Sequence, residues 1–352
     1  MSIITQKINA RPRLTQYFIE SGVFKKNPVV VLDVGVRNGF EQHWDIYKDQ
    51  IKLIGLELDH EECKKLNAFV QDDNRKCYPV ALSDRKGTRK FFIQPHHSSS
   101  SFYRSDKLFV ERFPGWTPLI PYKFSRVRTS DLDSFVKDNK IKDPDFMKLD
   151  IEGAELDVFK GGETTLKNCV GLSTEAVFYP WRNGMPTFSE LDIFLRSIGF
   201  VLFDLPVFRW EKKATSPLMF TDGVLGPTDR GQVIWTQALY LKDAVAELKL
   251  PRLRKKWDTA RVLKLASIME LYNLDDCVIE LIQEAAKQEL LNDYNVSRLI
   301  DLATPPLDGE VVFYKEYVRR IKKQGPPRYI KGRRVSEKEY QKYKKSAERS
   351  LT

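Results

Sequence analysis

VVVLDVGVRNG, residues 29–39, is an almost continuous apolar run that leads into a glycine turn. Such a run is typical of a strand that is buried on both faces of a parallel sheet. The same pattern recurs along the chain, at IKLIGLEL (51–58), CYPVAL (77–82), FMKLDI (146–151), CVGLSTEAV (169–177), GFVLFDL (199–205) and VIWTQALYLK (233–242). Helical stretches separate several of these runs, at 60–71, 154–168 and 187–199. The alternation of strand and helix predicts a doubly wound α/β sheet.

Changes in composition predict four regions. Residues 1–27 form a lead-in with a short helix around Leu14–Ser21, and residues 28–245 form the α/β domain. Residues 250–323 carry helical periodicity, with Asp258 and Asp275 as N-caps, and predict a small C-terminal α-helical domain. Residues 324–352 form a tail with few aliphatic side chains.

Overall composition bounds the class of protein. Of the 352 residues, 42% are hydrophobic and 30% are charged, which permits a large core and argues against general disorder. No apolar run approaches the roughly 20 residues of a membrane span, and the N-terminus lacks the apolar region of a secretory signal. The four cysteines lie far apart, which argues against a disulfide framework or structural zinc. We therefore expect a cytoplasmic protein.

The positive charge is confined to one end of the chain. Residues 311–352 contain 14 Lys/Arg and 4 Asp/Glu, whereas the first 310 residues contain 44 of each kind, so the net charge of +10 belongs to the C-terminal end. Lys and Arg alternate there with Tyr329, Tyr340 and Tyr343. This pattern indicates either binding to an anionic membrane surface or nucleic acid, or a solvated tail. We expect membrane association before nucleic acid.

The turn after the first strand indicates the class of cofactor. Its spacing is Asp33-x-Gly35-x-x-x-Gly39, and Arg37 stands where a dinucleotide-binding turn has its second glycine. The spacing instead fits the glycine turn of an S-adenosylmethionine methyltransferase. A tight turn between strand and helix is the alternative.

Acidic residues at the next strand ends support this interpretation. Glu57 ends the second apolar run, where a carboxylate can accept hydrogen bonds from both ribose hydroxyls. Ser83 and Asp84 end the third run, where an adenine ring would lie, although Asp84 is equally typical of a simple turn.

One further block carries a family resemblance. FMKLDIEGAELDVFKGG (146–162), together with LDVGVRNG, LIGLELD, VALSD and VRTSDLDSF, resembles the FkbM family of methyltransferases. The resemblance covers about residues 28–242. It implies a Rossmann-like methyltransferase fold: a mostly parallel seven-stranded sheet with the last strand, near 233–242, antiparallel. It also implies methyl transfer from S-adenosylmethionine, most often to a hydroxyl oxygen.

The resemblance also implies roles for individual residues. Asp33, Gly35 and Gly39 would line the methionine part of the cofactor, Glu57 the ribose and Asp84 the adenine side. The family commonly has Gly-Ala-Asn-Ile-Gly in the turn, whereas this chain has Gly-Val-Arg-Asn-Gly at 35–39. Arg37 either meets the cofactor carboxylate or points to solvent.

Three carboxylates are expected at the carboxyl edge of the sheet. Asp150 and Glu152 end the fourth strand and Glu175 the fifth, and ligands bind at that edge in open α/β sheets. Asp150 or Glu152 would be the general base for a hydroxyl acceptor. Alternatively, Asp150, Glu152 and Glu175 would hold Mg²⁺ or Mn²⁺, or the first two would cap the following helix. His97, in the loop HHSSSSF (96–102), is a second candidate for the base.

Aromatic loops suggest the acceptor. FPGWTPLIPYKF (113–124) and YPWRNGMP (179–186) fall at strand-to-helix connections and would wall a pocket for a saccharide or another polyhydroxyl. For Phe113 and Phe124 we expect packing onto the core instead. The sequence thus predicts an O-methyltransferase for a glycan or specialised metabolite. The alternatives are a catalytically inactive methyltransferase fold used as a binding module and a nucleic-acid methyltransferase.

Overall fold

A computed structural model describes residues 7–69, 74–115, 117–142, 144–214, 230–324, 328–330 and 333–349. Parts of the predicted tail (325–327, 331–332 and 350–352) lie outside the described residues, as do residues 1–6 of the lead-in and Trp116 of the first aromatic loop.

Within the described residues, eleven strands build two sheets in the α/β region. In chain order they are β1 Val29–Val34, β2 Ile51–Leu56, β3 Arg75–Tyr78, β4 Ala81–Ser83, β5 Gly87–Ile93, β6 Lys123–Asp131, β7 Phe146–Leu149, β8 Gly171–Val177, β9 Phe200–Asp204, β10 Val207–Trp210 and β11 Gln232–Lys242. A separate hairpin near the C-terminus pairs β12 Arg328–Ile330 with β13 Arg333–Val335.

The main sheet confirms the predicted Rossmann-like methyltransferase fold. Its strands are ordered β3-β2-β1-β7-β8-β11, and all neighbours up to β8 are parallel. The last strand, β11, is antiparallel to β8 as predicted. β9 and β10 both pair with β11, on the side away from β8. Two short strands therefore share the edge position of the sheet. In the part of the chain that the structure describes, the sheet therefore has eight strands in seven positions.

The central strand is buried along its whole length. All six residues of β1 are buried because β2 and β7 flank it and other elements cover both faces. This arrangement explains why the opening apolar run has no polar alternation.

A second sheet was not predicted from the sequence. The apolar run at 77–82 was expected to be one strand, but Pro79 divides it between β3 of the main sheet and β4 of a three-stranded sheet, β4-β6-β5. Proline lacks the N–H that a continuous ladder requires at that position. The chain thereby leaves the main sheet and builds a wall beside its carboxyl edge.

The α-helices alternate with the strands up to β11, and further helices follow β11 on both sides of the β12–β13 hairpin. They are α1 Arg13–Glu20, α2 His60–Phe69, α3 Lys107–Val110, α4 Leu132–Asp138, α5 Glu155–Lys160, α6 Glu163–Asn168, α7 Phe188–Ser197, α8 Ala244–Leu248, α9 Pro251–Arg254, α10 Thr259–Leu271, α11 Asp275–Lys287, α12 Val296–Ala303, α13 Tyr314–Gln324 and α14 Glu337–Arg349. Short 3₁₀ helices cover Gln42–Gln50, His97–Ser99 and Thr117–Leu119.

Three helical expectations are corrected. The segment after the glycine turn is a 3₁₀ helix, Gln42–Gln50, rather than an α-helix, and Lys48 interrupts it at a φ of 52°. The helix expected over 154–168 is divided into α5 and α6 at Gly161 and Gly162. A Cβ at Gly161 would collide with the carbonyl oxygen of Ser83, so the helix ends where β4 passes. Asp258 caps α10 as predicted, whereas α11 begins at Asp275 itself.

The C-terminal helices share a hydrophobic core with the sheet. Phe146 on β7 lies 5.4 Å from Trp44 and 5.7 Å from Tyr272, measured between ring centroids. Lys264 on α10 forms a buried ion pair of 2.7 Å with Asp145, the residue before β7. One apolar layer therefore joins α1, α10, α11 and α12 to one face of the sheet. The boundaries assigned to the four regions stay a prediction.

Candidate active site

A cavity of about 620 Å³ opens at the carboxyl edge of the main sheet. The glycine turn, the ends of β2, β7 and β8, and the inner face of the β5–β6 hairpin enclose it. Loops leave parallel strands at this edge, which is where open α/β sheets bind ligands. Of the predicted site residues, it brings together Gly35, Arg37, Gly39, Glu57, His97, Asp150, Glu152 and Glu175.

Close packing of the chain explains the first glycine of the turn. Gly35 has a φ of 93°, in the left-handed region that favours glycine. A Cβ there would collide with the carbonyl oxygen of Asp150. The turn after β1 and the end of β7 can therefore meet only when residue 35 is glycine. Gly39, with a φ of 92°, ends the turn at the cavity wall.

Arg37 lies at the cavity wall beside an acidic partner. Its Nη2 is 3.4 Å from Oδ2 of Asp59, and its side chain is 28% exposed. The sequence left two orientations for Arg37, toward the cofactor carboxylate or toward solvent. In the structure its side chain stays at the cavity wall, where the carboxylate of Asp59 partly neutralises its charge.

Glu57 fits the role of a ribose-binding carboxylate. The residue is 7% exposed, and its Oε1 accepts a hydrogen bond of 2.8 Å from the backbone N–H of Asp59. No described residue donates a hydrogen bond to Oε2. Burial raises the pKa of Glu57 above its usual range, against the backbone hydrogen bond and Arg37, which lower it. A cavity-lining carboxylate with one unused oxygen can accept hydrogen bonds from a diol, so this residue fits the nucleoside of S-adenosylmethionine.

Asp33 lies behind the cavity wall. It is 1% exposed and is not among the described residues that line the cavity. Its Oδ1 is 3.3 Å from Nζ of Lys148, which does reach the cavity and whose Nζ is also 4.0 Å from Oδ2 of Asp150. Burial alone would lower the pKa of Lys148, but Asp33, Asp150 and Glu41 together raise it. Lys148 therefore brings a positive charge to this wall, held in place by Asp33.

The two residues assigned to the adenine side lie elsewhere. Among the described residues, Ser83 and Asp84 do not line the cavity; Val80, Ala81 and Leu82 do. Arg89 donates a 2.7 Å hydrogen bond to the Ser83 hydroxyl, and that hydroxyl donates to Asp84. Ser83 and Asp84 lie outside this lining because the chain leaves the main sheet at Pro79.

The three expected carboxylates do converge, in different environments. The side chain of Asp150 is 38% exposed. The side chain of Glu152 is 21% exposed and lies 2.5 Å from Nη2 of Arg182. Glu175 lies on β8 opposite Gln237 of β11. Burial, reinforced by the charges of Glu152 and Asp150, raises its pKa well above the usual range.

Arg182 is the site residue that sequence reasoning missed. It is 1% exposed and donates hydrogen bonds to the carboxylate and carbonyl oxygen of Glu152 and to the carbonyl oxygen of Ser99. It thus ties the end of β7 to the loop of residues 96–102, here called the serine loop. Glu152 has a φ of 63°, which is uncommon for a residue other than glycine. Only the position of Arg182 in an aromatic loop, YPWRNGMP, hinted at a site.

The serine loop places His97 at the cavity without fixing its side chain. His97 is exposed, and no described residue forms a hydrogen bond with its ring. Ser101, at the end of the loop, donates 2.7 Å to the carbonyl oxygen of Glu152. Arg182 and Ser101 therefore hold the same backbone atom.

The arrangement does not resemble a metal centre. Throughout the described ranges, no group of three or more His, Cys, Asp or Glu side chains is placed to hold a metal ion. The guanidinium of Arg182 already neutralises Glu152, which disfavours a divalent cation at the same carboxylate.

Aromatic side chains line the remaining wall. Trp181, Trp210, Trp235 and Tyr122 border the cavity. Phe113 is fully buried, as expected, but Phe124 is 53% exposed, so its predicted core packing is wrong. β6 carries Phe124 on the opposite face of the small sheet from the cavity-lining Ser125.

The sequence also matches a family. Residues 33–202 match the family model for the Methyltransferase FkbM domain. This part of the chain is an FkbM methyltransferase domain. The FkbM domain contains every predicted site residue, and the predicted resemblance is confirmed. A comparison with curated proteins gives no match.

Solved structures similar to the chain include methyltransferases. The FkbM methyltransferase from Methylobacillus flagellatus is 14% identical, with 66% of this chain and 48% of that one covered and a TM-score of 0.35. Magnesium protoporphyrin IX methyltransferase from Synechocystis, with bound S-adenosylmethionine, is 8% identical, with 65% and 80% covered and a TM-score of 0.32. The chain spans about half the length of the Methylobacillus protein.

A search of the described helices found none with the length and apolar character of a membrane span.

Proposed function

We propose that the protein is an S-adenosylmethionine-dependent O-methyltransferase whose acceptor is a hydroxyl group of a saccharide. The observation that carries this proposal is that one cavity contains both Glu57, which fits the nucleoside, and Asp150, a strand-end carboxylate that is 38% exposed. The FkbM family of the domain supports the choice of methyl donor.

Asp150 is the general base in this proposal. S-adenosylmethionine supplies an electrophilic methyl group when it is bound. A neutral hydroxyl is a weak nucleophile, and a carboxylate within hydrogen-bond reach removes its proton as the new bond forms. Glu152 is less available for this role because Arg182 already binds its carboxylate. The pair Glu152–Arg182 instead fixes the backbone beside the base.

Glu175 acts as a hydrogen-bond donor in this proposal. Burial and the charges of Glu152 and Asp150 raise its pKa, which favours the protonated form, and the O–H of that form can donate to an acceptor oxygen. The tryptophans of the cavity wall give a sugar ring an apolar surface to lie against.

Release of S-adenosylhomocysteine on addition of an oligosaccharide mixture tests the function. We expect Asp150→Asn to slow this release by roughly 10²–10⁴-fold, because the amide cannot accept the proton. Asp84→Asn is the matched control, since Asp84 lies outside the cavity lining of the described residues.

A chelator distinguishes base from metal. The proposal expects full activity in EDTA. Two results together would favour a metal ion over a general base. They are activity that is lost in EDTA and restored by Mg²⁺ or Mn²⁺, and an Asp150→Asn variant as active as Asp84→Asn.

A further inference from the structure

The outer face of the β5–β6 hairpin carries a row of cations. The antiparallel register sets Thr88 opposite Arg128, Lys90 opposite Arg126 and Phe92 opposite Phe124. We call these six residues the basic ladder. The alternate residues, which include Phe91, Ser125 and Val127, face inward and line the cavity. The hairpin is therefore a wall with the cavity on one side and the basic ladder on the other.

Lys90 and Arg126 form an unfavourable pair in isolation. The backbone N–H and C=O of Phe92 bond to Ser101, away from β6, so Phe92 and, two residues earlier, Lys90 occupy non-hydrogen-bonded positions of the β5–β6 ladder. Side chains approach most closely across such positions, and like charges there are destabilising. Lys90, Arg126 and Arg128 are exposed, and no ion pair with a described residue compensates them. A bound acidic ligand would compensate these positive charges.

An exposed aromatic surface connects the ladder to the cavity. Phe124 is 53% exposed, and Nζ of Lys90 lies 5.2 Å from its ring centroid. The next residues toward the N-terminus of β6, Lys123 and Tyr122, line the cavity, and Tyr122 is 57% exposed. A chain that leaves the cavity at Tyr122 therefore meets Phe124 next, and then Lys90 and Arg126.

We propose that the basic ladder binds the part of the acceptor that extends out of the cavity, and that this part is an acidic saccharide carrying carboxylate or phosphate groups. The inference rests on the proposed function for the class of acceptor. The exposed cations of the basic ladder bind the negative charges of the saccharide, and Phe124 stacks on one sugar ring. Single-stranded nucleic acid fits less well, because such sites stack successive bases on a series of aromatic side chains.

Direct binding tests the ladder without requiring methyl transfer. The probes are fluorescein-labelled decagalacturonate, a phosphomannan oligosaccharide, a neutral dextran oligosaccharide of similar length and the oligonucleotide dT10, each measured by anisotropy at low salt. The variant is Lys90→Gln/Arg126→Gln. The control is Lys25→Gln/Lys26→Gln, which removes two exposed positive charges at the opposite end of the sheet, just before β1.

We expect an acidic saccharide to bind the wild type and the control equally. The ladder variant should bind it about threefold to tenfold more weakly, as two exposed charge contacts would give. Carboxylate and phosphate are distinguished by which acidic probe binds. The proposal is overturned if the neutral oligosaccharide binds as well as both acidic ones, if both double variants lose affinity equally, or if dT10 binds most tightly through Lys90 and Arg126. If the protein proved not to transfer methyl groups to saccharides, the basic ladder should still bind the acidic probes.

Discussion

At the residue scale, the guanidinium of Arg182 holds the end of β7 in its strained conformation. It donates hydrogen bonds to the carboxylate and carbonyl oxygen of Glu152, and its Cζ lies 3.9 Å from the ring centroid of Trp181, a residue of the cavity wall. A buried cation therefore couples the end of β7 to the tryptophan wall of the cavity.

Replacing Arg182 should affect turnover more than cofactor affinity. Arg182→Met leaves the Glu152 carboxylate and a backbone carbonyl without their donor, which typically costs about 3–5 kcal/mol for a buried pair. Arg182→Lys keeps the charge but loses the forked geometry, so the fold should be retained. Kinetics of Arg182→Lys should then show a lowered kcat with an unchanged affinity for S-adenosylmethionine. Wild-type turnover in this variant would show that Arg182 has no positioning role.

Glu57→Ala should weaken binding of S-adenosylmethionine. The ligand's hydroxyl groups would lose their acceptor, and unpaired buried donors typically cost about 1–3 kcal/mol. Isothermal titration measures the change, with Glu61→Ala on the exposed side of α2 as the control. If both variants bind the cofactor as tightly as the wild type, Glu57 does not belong to the site.

Glu175 predicts a pH dependence of stability. Its pKa in the folded protein lies well above the usual value of about 4.5, so the unfolded chain gives up this proton first as pH rises. The free energy of unfolding should therefore fall as pH rises above about 4.5, and Glu175→Gln should remove this loss.

Thermal melts at pH 4 and pH 8 check this sign. The midpoint of Glu175→Gln should exceed that of the wild type at pH 8, by roughly 2–4 °C for each kcal/mol, and approach it at pH 4. Glu280→Gln, an exposed position on α11, is the control. A variant that is less stable than the wild type at pH 8 would contradict the raised pKa.

At the scale of elements, two glycines allow the small sheet to lie against the main domain. Gly161 ends α5 where the carbonyl oxygen of Ser83 passes, and Gly162 lies against Leu132 at the start of α4. The wall that closes the cavity depends on this contact.

Gly161→Ala should therefore destabilise the protein without touching the cavity. The added Cβ must displace the backbone of β4, and overpacking of this kind costs about 1–3 kcal/mol. Gly87→Ala is the matched control, because the nearest atom to a Cβ there is 3.9 Å away. Urea unfolding measures both. Equal stability of the two variants would mean that β4 yields easily.

The elements that depend on local pattern could be predicted from the sequence. The buried run of β1 and the helix at Phe188–Ser197 follow from apolar periodicity and a capping box at Thr187. The small sheet and the 3₁₀ helix after the glycine turn could not be predicted, because they depend on which distant segments pack together. The three carboxylates at the strand ends could also be predicted, because each follows or ends an apolar run. Arg182 was missed because its partners are 30 and 83 residues away in sequence.

At the scale of the whole molecule, the C-terminal helices and the tail differ in how they are held. α10–α12 share the core of the sheet. In the described part of the tail, β12, β13 and α14 pack on one another and none of their residues belongs to a hydrophobic core cluster.

Truncation after Lys323 should leave the melting temperature and cofactor affinity unchanged, because the tail has few apolar side chains to bury. The same truncation should reduce sedimentation with vesicles of anionic lipid, since it removes most of the excess positive charge. A large drop in melting temperature would show that the tail is docked on the core.

In the proposed reaction, S-adenosylmethionine gives its methyl group to a saccharide hydroxyl while Asp150 accepts the hydroxyl proton. The most direct test incubates the wild type and Asp150→Asn with trideuteromethyl-labelled S-adenosylmethionine and an acidic oligosaccharide pool, followed by fragmentation mass spectrometry of the saccharides. We expect a trideuteromethyl group on a sugar oxygen with the wild type and at most about a hundredth of that rate with Asp150→Asn. Label on carbon or nitrogen, or equal labelling by both proteins, would contradict it.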